Sequence, residues 1–135
     1  MYWWLLLIDS TQKEFQQQIL QDAQSLFQGK AGDIAPILAE VGLNHFLAER
    51  PLSTLSVVQR QRVALARALV LQPKVLVWDD PVALFNLAGA RALLETLATV
   101  INQRRLAVIW TTTQPQLAAQ FSQRSYTLQH GRLAL

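Results

Sequence analysis

The sequence predicts an α/β fold with a parallel sheet, and three observations carry that expectation. Two short apolar runs, Val75-Leu76-Val77-Trp78 and Ala107-Val108-Ile109-Trp110, are bounded by polar or turn-forming residues, as strands buried on both faces of a parallel sheet are. Longer segments around them repeat apolar residues at helical spacing, the mark of a helix with one buried face. The order is helix, strand, helix, strand, helix and then a hairpin, the alternation from which open sheets with crossover helices are built.

The elements follow from the N-terminus. Tyr2-Trp3-Trp4-Leu5-Leu6-Leu7-Ile8 is strongly apolar but far shorter than the roughly 20 residues of a membrane-spanning helix. It has neither the basic leader nor the small-residue cleavage site of a signal peptide. A buried strand within residues 1–10 and a cytoplasmic protein are the expectations. Thr11 with Glu14 forms a capping-box pattern. Phe15, Ile19, Ala23, Leu26 and Phe27 then share one face of a predicted helix, which Gly29 and Gly32 end. Ile34, Ile37, Leu38 and Val41 make a second stripe that stops at Gly42. Asn44 caps a short turn with Phe46 and Leu47, closed by Pro51, so residues 11–51 read as a small helical unit.

Residues 52–135 carry the remainder of what reads as one domain. Ser56 caps a helix running to about Leu71, and Gln72-Pro73 breaks it. The first apolar strand follows and ends in Asp79-Asp80-Pro81. Asn86 caps a long helix with Leu87, Ala90, Leu94, Leu97 and Ile101 on one side, and Arg104 and Arg105 in its last turn suit the helix dipole. The second strand runs into Thr111-Thr112-Thr113 and a helix over residues 115–121. Residues 125–133 read as a hairpin with His130-Gly131 at its turn.

Composition narrows the chemistry. With 135 residues, 51% of them apolar and only 16% charged, the chain encodes a packed core and not a disordered segment. It has no cysteine, which removes disulfides and thiolate metal sites, and His45 and His130 lack ligand-like spacing. The net charge of +3 would suit nucleic acid or an anionic membrane surface. The basic residues, however, are scattered, among them arginines 60, 62, 67, 104, 105, 124 and 132, and such a scatter reads as solvated helix faces. No nucleic acid is expected, and a basic nucleic-acid-binding module stays only as an alternative.

Three separated signals occur in a fixed order: Leu55-Ser56-Val57-Val58-Gln59-Arg60-Gln61-Arg62-Val63, then the strand ending in Asp79-Asp80-Pro81, then Trp110-Thr111-Thr112-Thr113-Gln114. The series resembles the ATPase subunits of ABC transporters, over about residues 34–133. In that family the signature helix begins LSGGQ(R)QRV, a Walker B strand ends in Asp-Glu-Pro, a D-loop follows, and a switch histidine ends the next strand. The resemblance implies a partial P-loop NTPase sheet with a small helical subdomain and a C-terminal β-hairpin. It assigns Asp79 to the Walker B metal ligand and Ser56 and Gln59 to the nucleotide-facing signature. It sets Asp80 at the catalytic glutamate, Asn86 at the D-loop aspartate and Thr113 at the switch histidine.

The departures from the family pattern point to an abandoned site. No Walker A motif is present: Gly29-Lys30 has Gln24 and Ala31 where a glycine and a Ser or Thr belong, and it lies only about 25 residues before the signature. Without that loop there is no amide nest for the β-phosphate and no lysine for the γ-phosphate. Val57-Val58 replaces the two glycines whose bare backbone admits a phosphate. Asp80 is one methylene shorter than the glutamate, and an ångström of misplacement costs on the order of a hundredfold in rate. The residues also have simpler structural roles: Ser56 as a helix cap, Gln59 in a local hydrogen bond, Asp79 as a polar strand terminus, Trp78 and Trp110 as packing.

These readings combine into an expectation of a non-hydrolytic binding, regulatory or structural subunit. No cofactor is expected beyond weak Mg-ATP. In the family the Walker A strand lies beside the switch strand, so residues 107–110 are expected to keep an unpaired edge. Residues 3–8 are expected either at that gap or as the strand leading to the Q-loop, with Asp9 or Gln12 then at the Q-loop. Self-association or a protein partner, an ABC permease or a second ATPase chain, would cover what stays open. The protein would then lie at the inner face of the membrane without spanning it. The alternative is one part of a split ATPase completed by a Walker A-bearing chain.

Overall fold

The computed structural model describes residues 6–9, 34–44 and 50–134. The helix expected over residues 11–27, the Gly29-Lys30 pair, Gln12 and the turn with Phe46 and Leu47 lie outside the described residues. The described elements are β1 (Leu6–Asp9), α1 (Ile34–Glu40), a 3-10 turn (Leu52–Thr54), α2 (Val57–Val70), β2 (Val75–Asp79), α3 (Leu87–Arg104), β3 (Ala107–Trp110), α4 (Pro115–Phe121), β4 (Thr127–Gln129) and β5 (Arg132–Ala134).

The sheet has the order β1-β2-β3, with both pairings parallel. Leu6 pairs with Leu76 and Asp9 with Asp79, while Val75 pairs with Ala107 and Trp78 with Trp110. β1 therefore takes the side of β2 opposite β3. Of the two sequence placements, the gap beside β3 is ruled out for this strand, and Asp9 falls next to Asp79 at the sheet's C-terminal edge. Among the described residues the outer edge of β3 is unpaired.

The core gathers on one face of that sheet. Leu76 and Trp78 are fully buried there beside Leu65 and Leu69 of α2, Leu93, Leu94 and Leu97 of α3, and Leu117 of α4, with Val108 and Trp110 half-buried against them. The opposite face, with Ala107 and Ile109, is open, and Ile109 is 60% exposed. Alternation of burial along a strand has the period of two that the pleat dictates.

Two arginines tie the helices together. Arg104 at the end of α3 makes a bidentate ion pair with Glu40 of α1, at 2.5 and 2.7 Å, and also donates to the Leu69 carbonyl of α2 at 3.3 Å. Arg62 of α2 donates to the Val41 carbonyl (2.8 Å) and the Thr96 hydroxyl of α3 (2.7 Å). The hydrogen bond from Arg104 to Glu40 raises the arginine's pKa, whereas burial lowers that of Arg62. Reading all the arginines as solvated faces is therefore corrected for these two. Gly42 ends α1 at φ +78, and a side chain there would collide with Arg62.

The hairpin forms as expected: β4 and β5 pair antiparallel about His130 (φ 48) and Gly131 (φ 76). Both turn residues take positive φ, the geometry of a two-residue type I′ turn whose twist suits the flanking strands.

Candidate functional site

The sequence-derived candidates collect at two places: the C-terminal edge of the sheet and the N-terminal turns of α2 and α3. Open α/β sheets bind ligands at that edge.

At the edge, the register brings Asp9 beside Asp79, and Asp80 follows. Thr111, the first residue past β3, closes the group. Its hydroxyl donates to Asp79 Oδ1 at 2.5 Å and accepts from the Asp80 backbone N–H at 2.9 Å, while its own N–H donates to the Trp78 carbonyl at 3.1 Å. Asp80 turns the chain with φ 41, a left-handed conformation that aspartate tolerates better than most side chains. Burial, and then repulsion from Asp79, hold the Asp80 carboxyl above the ordinary carboxylate range. Thr113 is exposed, and the Thr112 hydroxyl accepts from the Gln114 N–H at 3.1 Å.

The carboxylates at this edge that a cation could use are Asp79 and Asp80, with Asp9 beside them by register. A hard divalent cation wants about six oxygens, and among the described residues no group of three or more His, Cys, Asp or Glu could hold a metal. One Asp79 oxygen, Oδ1, accepts the Thr111 hydroxyl.

At the helix ends, Ser56 closes α2 with a full capping box. Its hydroxyl accepts from the Gln59 N–H at 3.2 Å, and Gln59 Oε1 accepts from the Ser56 N–H at 2.9 Å. A free helix N-terminus is an anion site because its first amides lack partners; here two of the local donors are already satisfied. Asn86 caps α3 by accepting from the Gly89 N–H at 2.8 Å. The two turns meet: a Cβ on Gly89 would lie 3.6 Å from Val58 Cγ2, 3.8 Å from Phe85 Cβ and 3.2 Å from Asn86 Oδ1. Val57 and Val58 are half-buried.

Sequence reasoning placed Ser56, Gln59, Asn86 and Asp79 on the right elements but missed Thr111. A threonine after a strand is unremarkable in a sequence; its role depends on Trp78 pairing with Trp110, which sets the next residue over Asp79. Trp78 and Trp110 are packing residues: Trp78 is fully buried, and Trp110 Nε1 donates to the Ser122 hydroxyl at 2.9 Å.

A family model described as ABC transporter matches residues 7–83. The chain is 42% identical over 98 residues to the phosphonates import ATP-binding protein PhnC 1 of Natronomonas pharaonis, an alignment covering 73% of this chain and 42% of that protein. It is 38% identical over 96 residues to phosphonates import ATP-binding protein PhnC of Escherichia coli K12, covering 71% and 36%. Among solved structures it is similar to cbiO1 from Clostridium perfringens, described as part of the ABC transporter complex cbiONQ. That similarity has a TM-score of 0.74 at 24% identity, over 87% of this chain and 49% of the other, and shows a shared fold. The chain thus spans 36% to 42% of the length of these curated relatives.

Proposed function

Since this chain belongs to the ABC transporter ATPase family, we propose that it is a non-hydrolytic member acting as a binding or regulatory subunit of a transporter assembly. The observation that carries the reading is the closed N-terminus of α2. Ser56 and Gln59 satisfy each other's backbone donors, and Val57-Val58 fills the space where a phosphate would need bare backbone. The edge of the sheet supports it. The Asp79 carboxylate accepts from Thr111, and Asp80, Asn86 and Thr113 replace the groups that position water and sense the γ-phosphate.

The chain would dock on a transporter's membrane subunit as a peripheral protein. Among the described residues no helix is long and apolar enough to cross a membrane. The PhnC relatives are named as ATP-binding proteins of phosphonate import, and cbiO1 as part of a multi-subunit transporter; a place in an assembly of that kind is the inference for this chain.

Calorimetric titration with Mg-ATP is the direct test. No saturable heat and no phosphate release are expected. Micromolar binding, with hydrolysis abolished by Asp79→Ala, would overturn the reading. One observation favours a second reading, a split ATPase: the relatives it matches at 38% to 42% identity are named ATP-binding proteins. Phosphate release that appears only on adding a Walker A-bearing chain would establish it.

A further inference from the structure

The outer edge of β3 is a row of backbone groups that the described fold leaves open. Ala107 and Thr111 turn their N–H groups inward, to the carbonyls of Lys74 and Trp78, at 3.1 Å each. Peptide groups alternate direction along a strand, so Val108 and Trp110 aim their N–H and C=O groups outward. No described strand pairs with them there. Proteins commonly blunt such an edge with proline or charge, and residues 106–110 have neither. Ile109 adds an aliphatic side chain that is 60% exposed.

Two observations select a second copy of the chain as the occupant of this edge. The first is hydrogen-bond register. Antiparallel pairing about a two-fold axis normal to the sheet sets side chains of the same face opposite each other. Centred on Ile109, it places Ile109 against the partner copy's Ile109 and Val108 against the partner copy's Trp110. Every new backbone bond then uses the outward groups of Val108 and Trp110. Centred on Val108, it would call on the Leu106 N–H, which already donates to the Ile101 carbonyl at 3.2 Å.

The second observation is charge. Lys74 and Arg105, both exposed, stand at the N-terminal end of β2 and β3, whereas Asp79 and Asp80 stand at the C-terminal end. Antiparallel pairing lays each basic end along the other copy's acidic end. Parallel pairing would set like charges side by side. We propose that β3 pairs edge to edge with β3 of a second copy, joining two three-stranded sheets into one continuous sheet with Ile109 at the two-fold axis. The pairing uses β3 and the charges at its ends and calls on no nucleotide, so it stands apart from the non-hydrolytic reading.

The wild-type chain, without nucleotide, is expected to elute with twice its 15.2 kDa mass in size-exclusion chromatography with light scattering. Ile109→Lys puts two like charges on the axis and should give a monomer with an unchanged circular dichroism spectrum, since the side chain is exposed. Arg105→Glu should weaken the dimer by about tenfold at low salt and by less at high salt, where screening removes the charge contribution. The chain has no native cysteine, so introduced thiols report the register cleanly. Oxidised Ile109→Cys should become a disulfide-linked dimer, because facing residues of a non-hydrogen-bonded antiparallel pair lie about 4.5 Å apart. Leu128→Cys on the hairpin and Leu84→Cys before α3 should stay unlinked. A wild-type monomer, a dimer that survives Ile109→Lys, linkage through 84 or 128 in place of 109, or pairing only with a Walker A-bearing chain would each overturn the proposal. A dimer that forms only with Mg-ATP would overturn it together with the non-hydrolytic reading, whereas ATP binding by a preformed dimer would sink that reading alone.

Discussion

The helical side of the molecule and its outer sheet side are built on opposite terms. Around α1, α2 and α3 the side chains of Val41, Leu65, Leu69, Leu93 and Val100 are completely buried, and Arg62 and Arg104 bridge three helices through carbonyl, hydroxyl and carboxylate acceptors. From β3 onward the same chain leaves Ile109 60%, Leu128 68% and Leu133 70% exposed, and no residue of β4 or β5 is buried. An isolated two-stranded hairpin is marginally stable in water. The difference teaches that stability of the described fold is concentrated where apolar stripes from several helices converge on β2. The outer strands are held mainly by their own pairing.

The comparison breaks most visibly in the core. Trp78→Ala should cost about 3–5 kcal/mol in urea denaturation, from lost burial and the cavity left behind. Leu128→Ala on the hairpin should cost under about 0.5 kcal/mol, as exposed substitutions do. Equal effects would mean that the hairpin is packed in solution.

The next largest effect tests whether the arginine bridges are structural. Glu40→Ala leaves Arg104 without its bidentate carboxylate, in a pair whose side chains are only 27% and 17% exposed. A loss of about 1–3 kcal/mol is expected, between the values for exposed and fully buried ion pairs. Glu40→Gln, which keeps one acceptor, should recover part of it. A change below about 0.3 kcal/mol, the level of a solvated pair, would return Arg104 to an ordinary surface residue.

Capping comes third. Ser56→Ala removes the acceptor for the Gln59 N–H and should destabilise by about 1 kcal/mol, with Ser56→Gly closer to wild type. The same change should leave Mg-ATP titrations flat, which separates a cap from a phosphate contact.

The smallest effect has the opposite sign. The Asp80 carboxyl is raised in the folded state, so folded Asp80 holds its proton where the unfolded chain has released it. Its contribution is intact at acid pH and is lost as pH rises from the ordinary carboxylate range through the raised one. Asp80→Asn should therefore stabilise the protein slightly at neutral pH, by a fraction of a kcal/mol after solvent screening, and not at low pH. Thermal denaturation at both pH values measures it, and stabilisation confined to low pH would contradict the assigned direction.

Much of this architecture is legible in the sequence because its signals are local. Ser56 and Asn86 announce helix starts, Pro73 a helix end and His130-Gly131 a hairpin turn, and each forms as read. Helical stripes and short apolar runs identified α2, β2, α3, β3 and α4 because burial imposes their periods directly on residue type. The motif series was equally readable, since Asp79, Asn86 and Thr113 hold fixed positions along consecutive elements. Arg62 and Arg104 were misread because a charged residue on a helix has no sequence mark that distinguishes solvent from a carbonyl on a neighbouring helix.

By itself, then, the sequence determined the element types, their order, the family pattern and the residues that depart from it, all properties of short windows of chain. Only the tertiary structure decided that β1 flanks β2 away from β3, that Thr111 holds Asp79 and the Asp80 amide, and that Val58 meets Gly89. Each of these depends on register or helix packing between segments distant in sequence. Such contacts are selected by the joint burial of many side chains and leave no signature at any single position.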